Sequence, residues 1–204
     1  MNTEVTIHPK LQHYGLITSN LDAMINWYGK VLGMAVNRRT DLPEAARNRA
    51  PFSAFAFISN DEVHHRIVFF EVPALVDDPD KSRHARLQHV AFECRTLDDL
   101  LGTYVRLKSL GIVPLWGADH GLGISLYYAD PDQNVIELNI NNYGYGDEWT
   151  ATEHMRTSPP GMTYFDPEKM LAARKAGASP WNLHQRAIAG ELTPTTPPDP
   201  RVHF

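Results

Sequence analysis

RLQHVAFEC, residues 86–94, repeats the pattern of KLQHYGLIT, residues 10–18. Each stretch places a histidine, His89 or His13, after Leu-Gln at the head of a short apolar run that reads as a strand. The likeness continues downstream. A polar pair follows, Ser19-Asn20 or Arg95-Thr96, and Leu-Asp then opens a helical pattern at Leu21-Asp22 and Leu97-Asp98. Apolar residues recur at helical spacing, first Met24, Trp27, Tyr28 and Val31, then Leu100, Leu101, Tyr104 and Leu107. Asn20 and Thr96 are N-cap candidates, and Gly33 and Gly111 suit the left-handed position that ends a helix.

Strand signals follow each helix. The first half carries FSAFAFIS (52–59), a turn at Asn60-Asp61 and HRIVFFEV (65–72); the second carries ISLYYA (124–129), the turn DPDQN and VIELNI (135–140). Each half therefore reads β-α-β-β-β, with its shorter strands poorly defined. A repeat offset of 76 residues is too long for a solenoid unit and points to duplication of a module whose half-sheet is incomplete alone. The polar stretch VDDPDKSRHAR, residues 76–86, links the modules. From about Tyr143 proline punctuates the chain, and two short helices fit near 167–176 and 181–190. This tail carries Trp149, Tyr164, Phe165, Met170, Leu171, Trp181 and Leu183, too much apolar surface to leave in water, so it is expected to pack on the domain or on a partner subunit. The stretch after Leu192 is proline-rich and expected to be irregular.

The chain of 204 residues is long enough for one sizeable domain. A net charge of −5 argues against nucleic-acid binding, which wants a basic face. The single cysteine, Cys94, cannot close an internal disulfide and fits a reducing compartment. The first ten residues lack the apolar core of a signal peptide, and no apolar run approaches membrane-spanning length. A cytoplasmic protein without a membrane partner is the expectation. Ten histidines is the one unusual count.

Alternation sorts these residues by face. In HVAFEC, Val90, Phe92 and Cys94 oppose His89, Ala91 and Glu93; in HYGLI, Tyr14 and Leu16 oppose His13, Gly15 and Ile17. Ile136, Leu138 and Ile140 oppose Glu137 and Asn139, while Ser125 and Tyr127 oppose Ile124, Leu126 and Tyr128. Each strand thus has one face for a helix-covered core and a second that collects polar groups. One such residue alone would merely meet solvent. Repetition favours half-sheets that curve toward each other, so that His13, His89 and Glu137 share a concavity. Two imidazoles and one carboxylate form the facial set that binds non-heme Fe(II) with open positions.

With these residues in place the chain resembles the vicinal oxygen chelate superfamily, which includes glyoxalase I, fosfomycin-resistance proteins, bleomycin-binding proteins and type I extradiol dioxygenases. The resemblance covers about residues 8–142. It implies an α+β fold in which two βαβββ modules, about 8–75 and 86–142, pair into a curved, open-barrel-like mixed sheet around a metal site. Residues 1–142 would form that domain and 143–204 a C-terminal extension. Three further segments resemble those of a single-domain extradiol dioxygenase. HHRIVFFE matches the segment bearing the acid–base histidine, here His65 beside His64. LYYADPDQNVIEL matches the segment with an active-site tyrosine ten residues before the glutamate ligand, here Tyr127, and ADHGLGISLYY offers a further histidine, His120. Gln133 stands in the DPDQN turn where the family often has glycine.

The resemblance implies ring opening of a catecholic substrate with O2, His13, His89 and Glu137 holding Fe(II), with Mn(II) possible on the same ligands, in a homo-oligomeric enzyme. His65, Tyr127 and His120 would be catalytic. His65 lies in a polar stretch, so a surface position is its competing reading. The alternatives are a glyoxalase-like isomerase or thiol transferase, or a metal-free drug-binding protein of the bleomycin-resistance type. Glyoxalase-like relatives draw a fourth ligand from the first module, which makes Glu71 a reserve candidate.

Overall fold

The computed structural model describes residues 10–47, 49–76, 78–158 and 161–199. Residues 1–9 and 200–204, and with them most of the segment expected to lack a leader and the last of the proline-rich end, lie outside these. The described residues fall into two compact units, within Met1–Asp77 and Asp78–Phe204.

The first unit runs β1 (Tyr14–Thr18), α1 (Leu21–Leu32), β2 (Ala35–Asp41), a single turn α2 (Glu44–Arg47), β3 (Ala54–Ser59) and β4 (Ile67–Glu71). Asn20 starts α1 by accepting a hydrogen bond from the Ala23 N–H at 3.0 Å, and Gly33 ends it at φ 66°. The stripe of Leu21, Met24, Trp27, Tyr28 and Val31 is buried, packed on β3 and β4, whose inner residues Ala54, Ala56, Ile58, Ile67 and Phe69 are buried as well. Strand order is β1-β4-β3-β2, with β1 parallel to β4 and the other pairs antiparallel.

The second unit repeats this plan as β5 (His89–Glu93), α3 (Leu97–Ser109), β6 (Trp116–Asp119), β7 (Gly123–Ala129) and β8 (Val135–Asn141). Thr96 caps α3 through the Asp99 N–H at 3.1 Å. The order is β5-β8-β7-β6, again with the first strand parallel to the last. The fold is α+β, with two mixed sheets of four and five strands, neither closed on itself. The registers make the repeat exact enough to map residue onto residue. Tyr14 pairs with Ile67 as Val90 pairs with Ile136, and Gly15 with Val68 as Ala91 with Glu137.

The tail does more than lie on a surface. After α4 (Glu148–Thr157), the short β9 (Thr163–Phe165) adds a fifth strand beside β6, and α5 (Pro167–Lys175) and α6 (Pro180–Ile188) follow. The two expected helices are present; α4 and β9 were not anticipated. Gly117 pairs with Phe165, and a Cβ on Gly117 would lie 2.8 Å from the phenyl ring, so glycine there makes room for it. Phe165, Met170, Leu183, Ala187 and Leu192 are buried. Arg174 on α5 grips both carboxylate oxygens of Asp98, in the first turn of α3, at 2.7 Å. Trp149 and Trp181, by contrast, remain 73% and 47% exposed, so the tail's burial rests on smaller groups than its tryptophans. No described helix is long and apolar enough to cross a membrane.

Two outcomes test this packing. Phe165→Ala should destabilise the protein by about 3–5 kcal/mol, the usual cost of emptying a buried phenylalanine site; denaturant unfolding measures it, and a loss within error of zero would mean that β9 is dispensable. Gln133 is the one described non-glycine residue at positive φ, 62°, in the turn before β8. Gln133→Gly should raise stability by up to about 1 kcal/mol in the same assay, because the left-handed conformation is strained for a residue with a Cβ.

Candidate active site

Glu137 sits at the centre of the open face of the second sheet, with Ala91 beside it on β5 and Tyr127 beside it on β7. It is 7% exposed, and burial alone would push its proton affinity up. Hydrogen bonds reverse the balance. His89 Nε2 lies 3.0 Å from Oε2, Ser125 Oγ donates to Oε1 at 2.6 Å and Asn139 Nδ2 donates at 3.3 Å, so the group is held below the ordinary glutamate range, as an anion. The same contact raises the proton affinity of His89, against the effect of its burial. The other ring nitrogen, Nδ1, donates to Oε1 of Gln88, the residue before it in the repeated Leu-Gln-His.

Tyr127 stacks on Trp116 at 4.7 Å between ring centroids and stands perpendicular to the His89 ring at 5.9 Å. Burial, reinforced by the Glu137 charge, keeps it a phenol well above neutral pH. Its hydroxyl meets His120 Nε2 at 2.8 Å, and burial lowers the proton affinity of His120. A phenol and a neutral imidazole therefore share one hydrogen bond on this face. The turn that carries His120 is held by the tail. Buried Asp119 accepts from the Gly121 N–H at 2.8 Å and meets His184 Nδ1, on α6, at 2.9 Å. Gly121 has φ 82°, and a Cβ on it would fall 2.5 Å from His154 Nε2 on α4.

In the first unit His13 immediately precedes β1. Gly15 pairs with Val68 and Ile17 with Phe70, and Phe55 and Phe57 adjoin them on β3. His65 is not on the surface. It is 7% exposed, stacked on Phe57 at 4.3 Å and tilted against His13 at the same centroid distance. Burial, then the neighbouring His13 and His64, lower its proton affinity, so the ring is neutral near pH 7. Glu71 does not join them. It accepts from the Leu21 N–H at 3.3 Å and from Ser53 Oγ at 2.9 Å, which makes it an anchor for the start of α1. His84 pairs with Asp78 at 2.7 Å.

The residues fit a divalent cation on the chemistry of their donors. His89 and Glu137 converge as an imidazole and an anionic carboxylate, and in both repeats the glutamine before the histidine lies against Nδ1, so that a metal ion would meet Nε2. Among the described residues no three His, Cys, Asp or Glu side chains form a complete ligand set; the second unit supplies the pair. Sequence placed Ser125 on the polar face and His64 beside His65 but assigned no role to either, nor to Gln12, Gln88 or the Asp119–His184 contact. The signal for the glutamines was present, since Gln precedes the histidine in both copies.

Residues 10–138 match the family model described as Glyoxalase/Bleomycin resistance protein/Dioxygenase superfamily. The chain is 35% identical to "Biphenyl-2,3-diol 1,2-dioxygenase 3" of Rhodococcus globerulus over 188 residues, covering 91% of this chain and 92% of that protein. It is 36% identical over 198 residues to "Biphenyl-2,3-diol 1,2-dioxygenase 2" of the same organism, covering 95% and 96%. Among solved structures, a glyoxylase/bleomycin resistance protein/dioxygenase domain from Frankia sp. EAN1pec aligns with a TM-score of 0.56 at 21% identity, covering 68% of this chain and 96% of that one, and so shares the fold. With β-α-β-β-β modules in duplicate and relatives matched along nearly its full length, the chain belongs to the Glyoxalase/Bleomycin resistance protein/Dioxygenase superfamily.

Proposed function

We propose that this protein is an extradiol dioxygenase that opens an aromatic vicinal diol with O2, using Fe(II), or Mn(II) on the same donors, held by His13, His89 and Glu137. The named activity of its relatives supports the reaction class. The observation that carries the choice within the superfamily is Val68. By register it occupies in the first module the place that Glu137 occupies in the second. A glyoxalase-like isomerase draws a fourth ligand from the first module, and valine cannot ligate; the other candidate, Glu71, is engaged at the start of α1. A set of two imidazoles and one carboxylate leaves positions for substrate and O2. Bound there, the metal would supply the centre at which diol and O2 meet and exchange electrons.

The chain's own residues have separable tasks in this proposal. Tyr127 and His120, joined at 2.8 Å, offer a hydrogen-bonding pair to the diol oxygens and settle which of them keeps its proton. Ser125 and Asn139 hold the Glu137 carboxylate in one orientation. His65 serves as the acid–base group, its plane fixed by the stack on Phe57. Phe55, Phe57, Val68 and Phe70 give the first module an apolar open face, suited to an aromatic ring. A homo-oligomer is part of the same proposal.

Protein purified anaerobically should hold about one Fe(II) or Mn(II) per chain and consume O2 with some members of a catechol panel that includes biphenyl-2,3-diol. Inactivity with every diol, alongside isomerisation of a hemithioacetal, would overturn the reading. His65→Asn should keep its metal and lose about 10²–10⁴-fold in turnover, with substrate affinity much less affected. A metal-replete variant that turns over at the parent rate would remove His65 from the chemistry.

A further inference from the structure

Four side chains of the first unit form one hydrogen-bonded line. His13 Nδ1 meets Gln12 Oε1, Gln12 Nε2 meets His64 Nε2 at 3.0 Å, and His64 Nδ1 meets His65 Nδ1. The backbone holds them in place. Arg66 Nη1 donates to Gln12 O at 3.3 Å, Tyr14 N–H donates to Arg66 O at 3.1 Å and Asn37 Nδ2 donates to His64 O at 2.9 Å. We propose that Gln12 and His64 are positioning residues which, through this line, tie the ring nitrogen that carries the proton on His65 to the one that carries it on His13.

The reasoning is a count of donors. A neutral imidazole has one N–H and one acceptor, and a glutamine amide has a donor end and an acceptor end. Each link therefore forces the next, and the line has only two polarities when every ring is neutral. In the first, His13 donates from Nδ1 to Gln12, Gln12 donates to His64 Nε2, and His64 donates from Nδ1 to His65. His13 Nε2 is then a lone pair, free to ligate, and His65 keeps its proton on Nε2, where it can donate a hydrogen bond. In the second, with the amide reversed, His13 carries its proton on Nε2 and cannot ligate, while His65 Nε2 becomes an acceptor. Were His13 to hold a metal ion through Nε2, no proton could sit there, and only the first polarity would remain. His65 would then be left as a donor from Nε2 through the line alone, with no contact of its own to the metal.

Glutamine is required because its two ends differ. Glutamate at position 12 offers acceptors at both ends. It leaves His13 donating from Nδ1, but it draws the His64 proton to Nε2, which makes His64 Nδ1 an acceptor and moves the His65 proton to Nδ1. Gln12→Glu thus separates the two arms, inverting His64 and His65 while sparing His13.

This inference rests on the dioxygenase reading for its purpose, though not for its measurement. Imidazole tautomers are read directly by ¹⁵N–¹H correlation through two bonds, on the full chain at a pH where the rings are neutral, before and after loading with diamagnetic Zn(II). In the Zn(II)-loaded parent protein His65 should be protonated on Nε2 and His64 on Nδ1. In Gln12→Glu both should invert, with Zn(II) still bound; in Gln12→Ala, Zn(II) affinity should fall about 10–100-fold, as for loss of a partner that orients a ligand. A parent His65 protonated on Nδ1 with Zn(II) bound, or Gln12→Glu tautomers identical to the parent's, overturns the proposal. Tautomers that invert in Gln12→Glu while dioxygenase turnover is unchanged uphold the relay and instead count against His65 as the catalytic group. The parent measurement stands alone if a variant fails to fold.

Discussion

Parallel pairing of the first strand of each module with its last is the constraint on which the rest depends. A parallel pair cannot be closed by a hairpin and needs a crossover, which α1 and α3 supply. Each helix buries one stripe against its own sheet, so the sheet has a dry face and an open one. Because the first and last strands lie side by side, residues far apart in sequence become lattice neighbours. Ala91 beside Glu137 is one such pair, and it brings His89 within 3.0 Å of the carboxylate.

Duplication gave two copies of this lattice, and the chemistry lies in their differences. At corresponding positions the second sheet has Tyr127, Glu137, Ser125 and Asn139 where the first has Phe57, Val68, Phe55 and Phe70. One open face is polar and rich in protons; the other is apolar and largely aromatic. Burying Glu137 would be costly without partners, and its three hydrogen bonds all come from the polar copy. The apolar copy carries no charge at the four corresponding positions; its one acidic group on β4, Glu71, is satisfied at the start of α1.

What could be read from sequence followed from periodicity. Strand alternation placed Tyr14, Leu16, Ile136 and Leu138 opposite the histidines and Glu137, and the helical stripes and the caps Asn20 and Thr96 were equally plain. His65 was harder, since it precedes β4 in a stretch without period, and its burial depends on the stack against Phe57. The strand β9 is three residues long and leaves no alternation to detect. Helix α4 buries only Ala151, so it has no apolar stripe to announce it. The tryptophans misled because size suggested burial, whereas the tail is anchored by Phe165, Met170 and Leu183. The Leu-Gln-His repeat was legible as a repeat, but its glutamines gained meaning only once each amide was seen against an Nδ1.

The strand order of the second sheet ends in β9, three residues followed at once by Asp166 and Pro167 at the head of α5. Without it, β6 would offer a row of unpaired amides, the kind of border on which foreign chains assemble into aggregates. With it, the border is too short to template a further strand, and the proline that follows has no N–H to give. The tail thus works as a selvedge: it finishes the cloth so that the sheet neither frays nor is sewn to another.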